Sequence, residues 1–408
     1  MSTKSQQLID LDLTRGAHNY RPVDVVLHRA KGVHLWDVAG RRYIDMMSAY
    51  STASLGHGHP RVLKALARQA KALDVTSRAF YNDQLPLWLD RLTRLAGMDK
   101  ALPMNTGAEA VETALKLARK WGETVKGIPC GQVDIIGCEG NFHGRTLALV
   151  SLSTEAQYRE NFGPFTPGFQ TVPFGDVAAL ARAITPRTAA FIVEPIQGEA
   201  GIRLPPPGYL KRARELCREH RVLFIVDEIQ CGLSRTGRLF AFQHEDLAPD
   251  LLILGKALGG GVYPVSAVVG QAEVLGVLRP GDHGSTFGGN AIAAAVSMAA
   301  LALLGDPPLI ARVARLGDWA LAYLRAGLQG SPIVRDIRGQ GLMMGVEVVP
   351  ALGARGLVEA LKERGVLTKD THEVVIRLAP PLVIRKKQLR RALDAVIEVV
   401  REAEAGVA

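Results

Sequence analysis

The stretch Val222-Leu-Phe-Ile-Val-Asp227 decides the fold, and the stretch Leu251-Leu-Ile-Leu-Gly-Lys256 repeats its pattern further along the chain. Each is a short apolar run of the kind that is buried in a parallel β-sheet, and each ends at one ionisable residue. In open α/β sheets, ligands bind at the carboxyl ends of the strands. We therefore predict that Asp227 and Lys256 point into one crevice.

Strand-like and helical runs alternate from about residue 85 to residue 290. This alternation predicts an α/β fold, in which a mostly parallel sheet has helices on both faces. The predicted strands are residues 132–137, 147–152, 189–193, 222–226, 251–254 and 266–269.

The two ends of the chain have different patterns from this central part. Residues 1–19 are predicted to form a weakly structured arm, residues 33–45 a β-hairpin around Gly40, and Pro60 the start of a helix. After residue 295 we predict a long helix, strands at 333–338, 342–348 and 374–378, and helices at 356–364 and 386–402. We therefore expect an N-terminal arm and small-domain segment (1–50), a large domain (51–294) and a smaller α+β domain (295–408).

The composition indicates a globular enzyme. The 408 residues include 49 Lys and Arg against 40 Asp and Glu, and the net charge of +9 is spread along the chain. The densest basic cluster, residues 385–391, lies in a predicted helix, so we expect a solvated helix face and no nucleic-acid partner. No segment has the roughly 20 apolar residues that a membrane span needs, and residues 1–19 lack the features of a targeting signal.

The cysteines and histidines indicate neither disulfides nor a metal site. Cys130, Cys138, Cys217 and Cys231 form no CxxC pair, so we expect reduced thiols in a cytoplasmic protein. The histidine pattern also lacks the spacing of a zinc motif, so we expect no metal.

Lys256 and Asp227 together suggest the cofactor pyridoxal phosphate. A lysine beside a glycine-rich turn, here residues 259–261, can hold an aldehyde as a Schiff base, and an aspartate can pair with a protonated pyridine nitrogen. The alternatives are an exposed loop lysine and an aspartate that caps the turn after its strand.

Two further stretches suit the same cofactor. Thr106, Gly107 and Ala108 precede a predicted helix, whose free N–H groups would suit a phosphate, although Thr106 could also be an ordinary helix cap. Phe142 could stack on a flat ring and Arg145 could pair with a carboxylate, or the two could be packing and surface residues.

With these residues, the chain resembles the class III pyridoxal-phosphate aminotransferases and, among them, the ornithine δ-aminotransferases. The resemblance runs from about residue 17 to the C-terminal helix. The stretches that carry it are 76–82 (TSRAFYN), 104–109 (MNTGAE), 116–121 (KLARKW), 193–201 (VEPIQGEAG), 227–230 (DEIQ), 254–258 (LGKAL) and 284–290 (GSTFGGN).

The resemblance implies fold type I of the pyridoxal-phosphate transferases and a set of cofactor-binding roles. Lys256 would form the Schiff base and move the substrate proton. The other implied roles are Asp227 on the pyridine nitrogen, Gln230 on the ring hydroxyl, Phe142 and Ile229 on the two ring faces, Gly107 and Ala108 on the phosphate, and Thr286 on the phosphate of a partner subunit. The implied assembly is a homodimer with its sites at the interface; whether dimers pair further is left open.

The resemblance also implies the substrates, an amino acid and a 2-oxo acid. The activity would be transfer of the δ-amino group of L-ornithine to 2-oxoglutarate. Glu199 would pair with Arg377 while ornithine is bound and release it to the 2-oxo acid. Arg145 would hold the carboxylate of ornithine, Tyr20 would contact its α-amino group and Tyr50 would shape the pocket.

Two residues depart from the pattern, and neither is expected to touch the cofactor: His143, where some ornithine enzymes carry tryptophan, and Asp24. The alternatives are a related ω-aminotransferase acting on N-acetylornithine, 4-aminobutyrate or lysine, a decarboxylase or aminomutase on the same fold, and a binding protein without catalysis.

Overall fold

A computed structural model describes residues 3–407 of the chain, so residues 1, 2 and 408 of the predicted segments lie outside it. In chain order, the strands are β1 (Leu27–Lys31), β2 (His34–Asp37), β3 (Arg42–Asp45), β4 (Lys100–Met104), β5 (Asp134–Cys138), β6 (Phe169–Val172), β7 (Thr188–Val193), β8 (Leu223–Asp227), β9 (Leu251–Leu254), β10 (Ser266–Gly270), β11 (Val334–Gln340), β12 (Met343–Val348), β13 (Val366–Leu367), β14 (Asp370–Thr371) and β15 (Val375–Leu378).

The helices lie between and after these strands. They are α1 (Thr3–Arg15), α2 (Ser48–Ser51), α3 (Pro60–Ala70), α4 (Gln84–Ala96), α5 (Gly107–Trp121), α6 (Leu147–Leu152), α7 (Ala156–Arg159), α8 (Val177–Ala183), α9 (Tyr209–Glu219), α10 (Ala272–Leu275), α11 (Ala291–Leu304), α12 (Pro307–Gly327), α13 (Arg355–Glu363) and α14 (Lys386–Val407). Short 3₁₀ helices include Lys256–Gly259, directly after β9.

The largest sheet has the strand order β4-β10-β9-β8-β7-β5-β6. Strands β6, β5, β7, β8 and β9 are parallel, and β10 runs antiparallel to both β9 and β4. Along β8 the side chains alternate between two hydrophobic clusters, with Phe224 and Val226 in one and Leu223 and Ile225 in the other. Because both faces are covered, the strand has no polar side, which confirms the predicted α/β layers.

The two strands that carry the predicted site lie side by side. Strands β8 and β9 are parallel neighbours, with Asp227 opposite Ile253 in the register. Since parallel strands end at the same edge of a sheet, the residues after β9 lie next to Asp227, as the sequence predicted.

Two smaller sheets contain the remaining strands. The order β1-β2-β3-β13 joins the predicted N-terminal hairpin to the C-terminal part of the chain, because β13 pairs in parallel with β3. The antiparallel sheet β11-β12-β15-β14 packs with helices α12, α13 and α14. The domain limits at residues 50 and 294 stay a prediction.

Three local predictions were wrong. Residues 147–152 form helix α6 and not a strand, because a short apolar run has no period that distinguishes the two structures. Residues Thr3–Arg15 form helix α1 and not a weakly structured arm. The long helix after residue 295 is two helices, α11 and α12, separated where Pro307 begins the second.

Strands β4 and β6 were not predicted from the sequence. Pro103 lies inside β4, and a proline argues against a strand in a sequence reading. Within residues 3–407 no single helix is long and apolar enough to cross a membrane, although α11 and α12, which meet at 60°, satisfy the length and composition limits as a pair.

Candidate active site

A cavity of about 210 Å³ lies at the carboxyl ends of β8 and β9. It contains every predicted cofactor-binding residue except Thr286. The residues that line it are Gly107, Ala108, Phe142, His143, Gly144, Glu194, Ile196, Glu199, Asp227, Ile229, Gln230, Cys231 and Lys256.

Lys256 enters this cavity from the turn after β9. Its φ angle is +43°, a left-handed conformation that costs a residue other than glycine about 1–3 kcal/mol and is found mostly at functional sites. The amine makes no hydrogen bond or ion pair within residues 3–407. Burial lowers the pKa of Lys256, and the charges of Glu199 and Asp227 oppose this effect. The cavity thus contains an amine without a partner, as a group that must react with an aldehyde requires.

Asp227 is buried and has two partners. Its Oδ1 accepts a hydrogen bond from the Ile229 N–H at 3.0 Å, and the His143 Nδ1 lies 2.7 Å from its Oδ2. The side chain of His143 is fully buried, which by itself lowers its pKa, but the hydrogen bond and charge of Asp227 outweigh burial and raise it. His143 therefore lines the cavity and orients Asp227, which corrects the expectation that it would not touch the cofactor site.

The start of helix α5 forms one wall of the cavity. Thr106 caps the helix through a capping box with Glu109, which orders the first turn. The backbone N–H groups of Gly107 and Ala108 have no acceptor in the described chain. A Cβ on Gly107 would lie 3.0 Å from the Ile229 Cδ1, so glycine keeps this wall open. Two free N–H groups at a helix N-terminus suit a phosphate. Thr106 can therefore cap the helix while the N–H groups of Gly107 and Ala108 remain available for a phosphate.

Phe142 and Ile229 are the two side chains predicted to cover the faces of the cofactor ring, and both line the cavity. The Phe142 N–H donates to the Glu194 Oε2 at 3.0 Å, which fixes the backbone before His143. Burial raises the pKa of Glu194 to about 7 despite the nearby His143. Gln230 donates through its Nε2 to the Glu199 Oε1 at 2.9 Å and so joins the cofactor side of the cavity to the substrate side.

Glu199 and Arg377 form a two-pronged ion pair. The Arg377 Nη1 and Nη2 each donate to a Glu199 carboxylate oxygen at 2.8 Å, and Arg377 is only 2% exposed. Burial alone would raise the pKa of Glu199, but the charge and hydrogen bonds of Arg377, with Gln230, lower it to about 2. The Tyr50 ring centroid lies 5.0 Å from the Arg377 guanidinium. The structure thus contains the Glu199–Arg377 pair that the resemblance implied and places Tyr50 beside it, although the three residues come from distant parts of the chain.

The remaining predicted site residues, two for the substrate and one for the cofactor phosphate, lie further out. Tyr20 is 73% exposed, and its ring centroid is 5.9 Å from the Lys369 Nζ. Arg145 is exposed, and its guanidinium lies 3.4 Å from the Tyr158 ring centroid with no carboxylate in ion-pair range in the described chain. Thr286 is exposed and lines a second cavity of about 430 Å³ beside Ala108, not the one that contains Lys256.

Comparisons with known proteins agree with this geometry. The family described as aminotransferase class III matches residues 15–400. The chain belongs to the class III aminotransferases.

Individual relatives of this aminotransferase cover it almost completely. It is 55% identical to an ornithine aminotransferase of Exiguobacterium sp., over 98% of this chain and 99% of the relative. The crystal structure of the ornithine aminotransferase from Toxoplasma gondii ME49 matches with a TM-score of 0.97 and 47% identity, covering 100% of this chain and 97% of that one. The acetylornithine aminotransferase from Elizabethkingia anophelis matches with a TM-score of 0.88 and 46% identity, over 98% and 99%.

Membership confirms the predicted fold type I and makes this chain a pyridoxal-phosphate-dependent aminotransferase. The residues of the cavity fit that cofactor, because an unpartnered amine, a buried carboxylate and two free helix N–H groups face one space. No group of three or more side chains suited to a metal occurs in the part of the chain that the structure describes.

The contacts of two residues at this aminotransferase site were not predicted from the sequence. His143 contacts Asp227, and Glu194 accepts from the backbone of Phe142. A usable signal was present, because Glu194 directly follows β7 and His143 lies in the loop after β5, and these parallel strands end at the same edge of the sheet.

Proposed function

We propose that this aminotransferase transfers the δ-amino group of L-ornithine to 2-oxoglutarate, which yields glutamate 5-semialdehyde and L-glutamate. The observation that carries the proposal is the closed pair of Glu199 and Arg377 beside Lys256. A pocket that must accept a monocarboxylate diamine and then a dicarboxylate needs an arginine that can be masked. The names of the similar proteins from Exiguobacterium and Toxoplasma gondii support the same substrate.

The cofactor, when bound, supplies an electron sink for the carbon that loses its proton. Lys256 would hold its aldehyde, Asp227 its pyridine nitrogen and Gln230 its ring hydroxyl. Phe142 and Ile229 would cover the two ring faces, and the N–H groups of Gly107 and Ala108 would bind the phosphate. His143 keeps the Asp227 carboxylate in place through its Nδ1.

In the first half-reaction, ornithine would present its distal amine to the cavity. Arg145 is exposed and free to pair with the α-carboxylate, and Tyr20 would contact the α-amino group. Glu199 keeps Arg377 neutralised, so this arginine does not attract the ornithine carboxylate to the wrong end. The Lys256 amine would then take the proton from the substrate carbon as a general base.

In the second half-reaction, 2-oxoglutarate would bring two carboxylates. One displaces Glu199 from Arg377 and gains its two parallel N–H donors, and the other reaches Arg145. Lys256 then returns a proton to the carbon that becomes Cα of glutamate. Arg145 therefore binds a carboxylate in both half-reactions, whereas Arg377 binds one only in the second.

N-acetylornithine is a second candidate donor, and the likeness to the Elizabethkingia anophelis enzyme supports it. We would compare ornithine, N-acetylornithine, 4-aminobutyrate and lysine as donors with 2-oxoglutarate and measure glutamate and semialdehyde. Ornithine should have the highest kcat/KM, with Lys256→Ala as the inactive control. A higher kcat/KM for N-acetylornithine would replace the proposal with this second donor, since acetylation removes the amine that Tyr20 would contact.

We also propose a cytoplasmic homodimer whose sites lie at the interface, with further pairing of dimers left open. Thr286 would reach the phosphate of the partner's cofactor, which is supported by its exposure and by its absence from the Lys256 cavity of its own chain. Analytical ultracentrifugation of the purified enzyme should give twice the chain mass of 43.9 kDa, or an even multiple of it if dimers pair. A monomeric and active enzyme would contradict this assembly.

A further inference from the structure

The turn that presents Tyr50 has an unusual backbone. Its four residues, Ser48 to Ser51, have φ angles of 44°, 47°, 57° and 73°, and none is a glycine. Residues other than glycine adopt this left-handed conformation singly, so a run of four persists only where its surroundings fix it. The turn places the Tyr50 ring against the Arg377 guanidinium, at 5.0 Å from the ring centroid. The strained segment therefore supports one substrate-site contact.

Arg235 is the buried group that fastens this turn. It is completely buried, and its two terminal nitrogens donate to four acceptors. These are the Leu342 carbonyl at 3.0 Å, the Pro380 carbonyl at 2.6 Å, the Ser48 Oγ at 3.3 Å and the Ser54 Oγ at 2.9 Å. The two serines extend this hydrogen-bond network, because the Ser48 hydroxyl donates to the Ala379 carbonyl and the Ser54 hydroxyl to the Ser51 carbonyl.

Three of the four acceptors of Arg235 belong to segments that carry a site residue. Arg235 itself lies in the loop that begins at Asp227 and includes Gln230. Ser48 and Ser54 flank Tyr50, and Pro380 closely follows Arg377. The turn is also joined to this last segment through the backbone, where the Ala379 N–H donates to the Met46 carbonyl and the Leu382 N–H to the Ser54 carbonyl. The Arg235 side chain thus joins the loop after Asp227 to the turn that carries Tyr50 and to the segment that carries Arg377.

The burial of the Arg235 charge is not explained by an ion pair. Within residues 3–407 no carboxylate lies in ion-pair range of Arg235. Burial lowers its pKa to about 9 against the favourable charge of Asp45, so it remains a cation at neutral pH. A buried cation without a paired anion is costly, and only the planar guanidinium has enough fixed N–H donors for four acceptors in two directions.

We propose that Arg235 is a positioning residue of the 2-oxo acid half-reaction. It holds the Ser48–Ser51 turn, and the turn keeps Tyr50 in contact with Arg377 while Arg377 exchanges Glu199 for a substrate carboxylate. Arg235 does not line the cavity and acts only through Tyr50. The inference rests on the proposed function, in which Arg377 receives the carboxylate of 2-oxoglutarate.

The test is a double-mutant cycle in the full-length, cofactor-loaded enzyme. Each of two substitutions at Arg235 is combined with Tyr50→Leu: Arg235→Met, and Arg235→Lys, which keeps the charge but has only three N–H donors. KM and kcat are measured separately for ornithine and for 2-oxoglutarate. We expect Arg235→Met and Tyr50→Leu each to raise the KM for 2-oxoglutarate about tenfold, the size of a buried cation–π contact, and Arg235→Lys less. The double variant should be no worse than Tyr50→Leu alone within about twofold, because the two residues act on one contact.

A control is Arg325→Met, which removes a different arginine, one that is partly buried and donates to the backbone carbonyl of Ile337. It should lower the melting temperature without changing the KM for 2-oxoglutarate. Multiplicative effects of Arg235 and Tyr50 would overturn the inference, as would a KM change equal to that of Arg325→Met. If Arg235→Met does not fold, Arg235→Lys and Ser54→Ala replace it in the same cycle. Loss of the proposed function is recognised separately, because the unmodified enzyme would then form no glutamate from 2-oxoglutarate.

Discussion

Replacing Glu199 with glutamine removes the negative charge that pairs with Arg377 through two 2.8 Å hydrogen bonds and keeps the size of the side chain. The pKa of Glu199 lies at about 2 against an ordinary 4.5, a difference of 4.5 − 2 = 2.5. At about 1.4 kcal/mol for each tenfold change in proton affinity, the charged pair is worth about 3 kcal/mol near neutral pH. Because the pKa is depressed, this stabilisation is present above pH 4.5 and is lost as the pH falls towards 2.

A dicarboxylate must break this pair in the unmodified enzyme but not in Glu199→Gln. The variant should therefore bind glutarate, an unreactive analogue of 2-oxoglutarate, about 10-fold to 100-fold more tightly, since about 3 kcal/mol sets the upper limit. Without ligand, the variant should unfold at lower denaturant concentration, because Arg377 is left buried without an anion. The KM for ornithine should rise, since the exposed Arg377 then attracts its carboxylate to the wrong end.

Isothermal titration calorimetry of both cofactor-loaded proteins with glutarate measures the first effect. Glu215→Gln is the control, because it removes a carboxylate from an exposed pair with Arg212 and should leave the glutarate affinity unchanged. Equal or weaker binding of glutarate by Glu199→Gln would refute the masking of Arg377.

Three further changes test the cofactor side of the site. Lys256→Ala should abolish turnover and leave the visible absorbance of the bound cofactor insensitive to borohydride; retained turnover contradicts its role. Thr106→Ala should lower the free energy of unfolding by about 1 kcal/mol in denaturant titrations through loss of the helix cap, and should weaken cofactor binding as well. Because the pKa of His143 is raised by Asp227, its stabilising contribution is present below the ordinary histidine pKa of about 6.5 and declines as the pH rises through the raised value. The stability difference between the unmodified protein and His143→Asn should therefore shrink with rising pH, and a pH-independent difference would mean that His143 is not the titrating group.

Several parts of the site could be predicted from the sequence because local rules specify them. An apolar run that ends at a single charged residue predicts a buried strand and its reactive end, which located Asp227 and Lys256. A threonine before Gly-Ala-Glu predicts a capped helix with free N–H groups, and the capping box of Thr106 with Glu109 has that form. The roles taken from the family resemblance, such as that of Thr286, stay predictions.

Other features depend on packing between residues that are far apart in the chain. His143 meets Asp227 across 84 residues and Glu199 meets Arg377 across 178, and no local pattern encodes either pair. Residues 147–152 form a helix that lies beside α5, although the apolar run by itself does not distinguish a helix from a strand.

The order of residues determined which segments form strands and helices and which ionisable groups stand at strand ends, because hydrogen-bonding periodicity and helix capping act over a few neighbours. Only the tertiary structure decided which of these groups touch, how far their pKa values move, and that the buried Arg235 joins the turn of Tyr50 to the segment of Arg377. Burial and pairing energies arise when distant segments pack together, so they have no counterpart in the sequence alone.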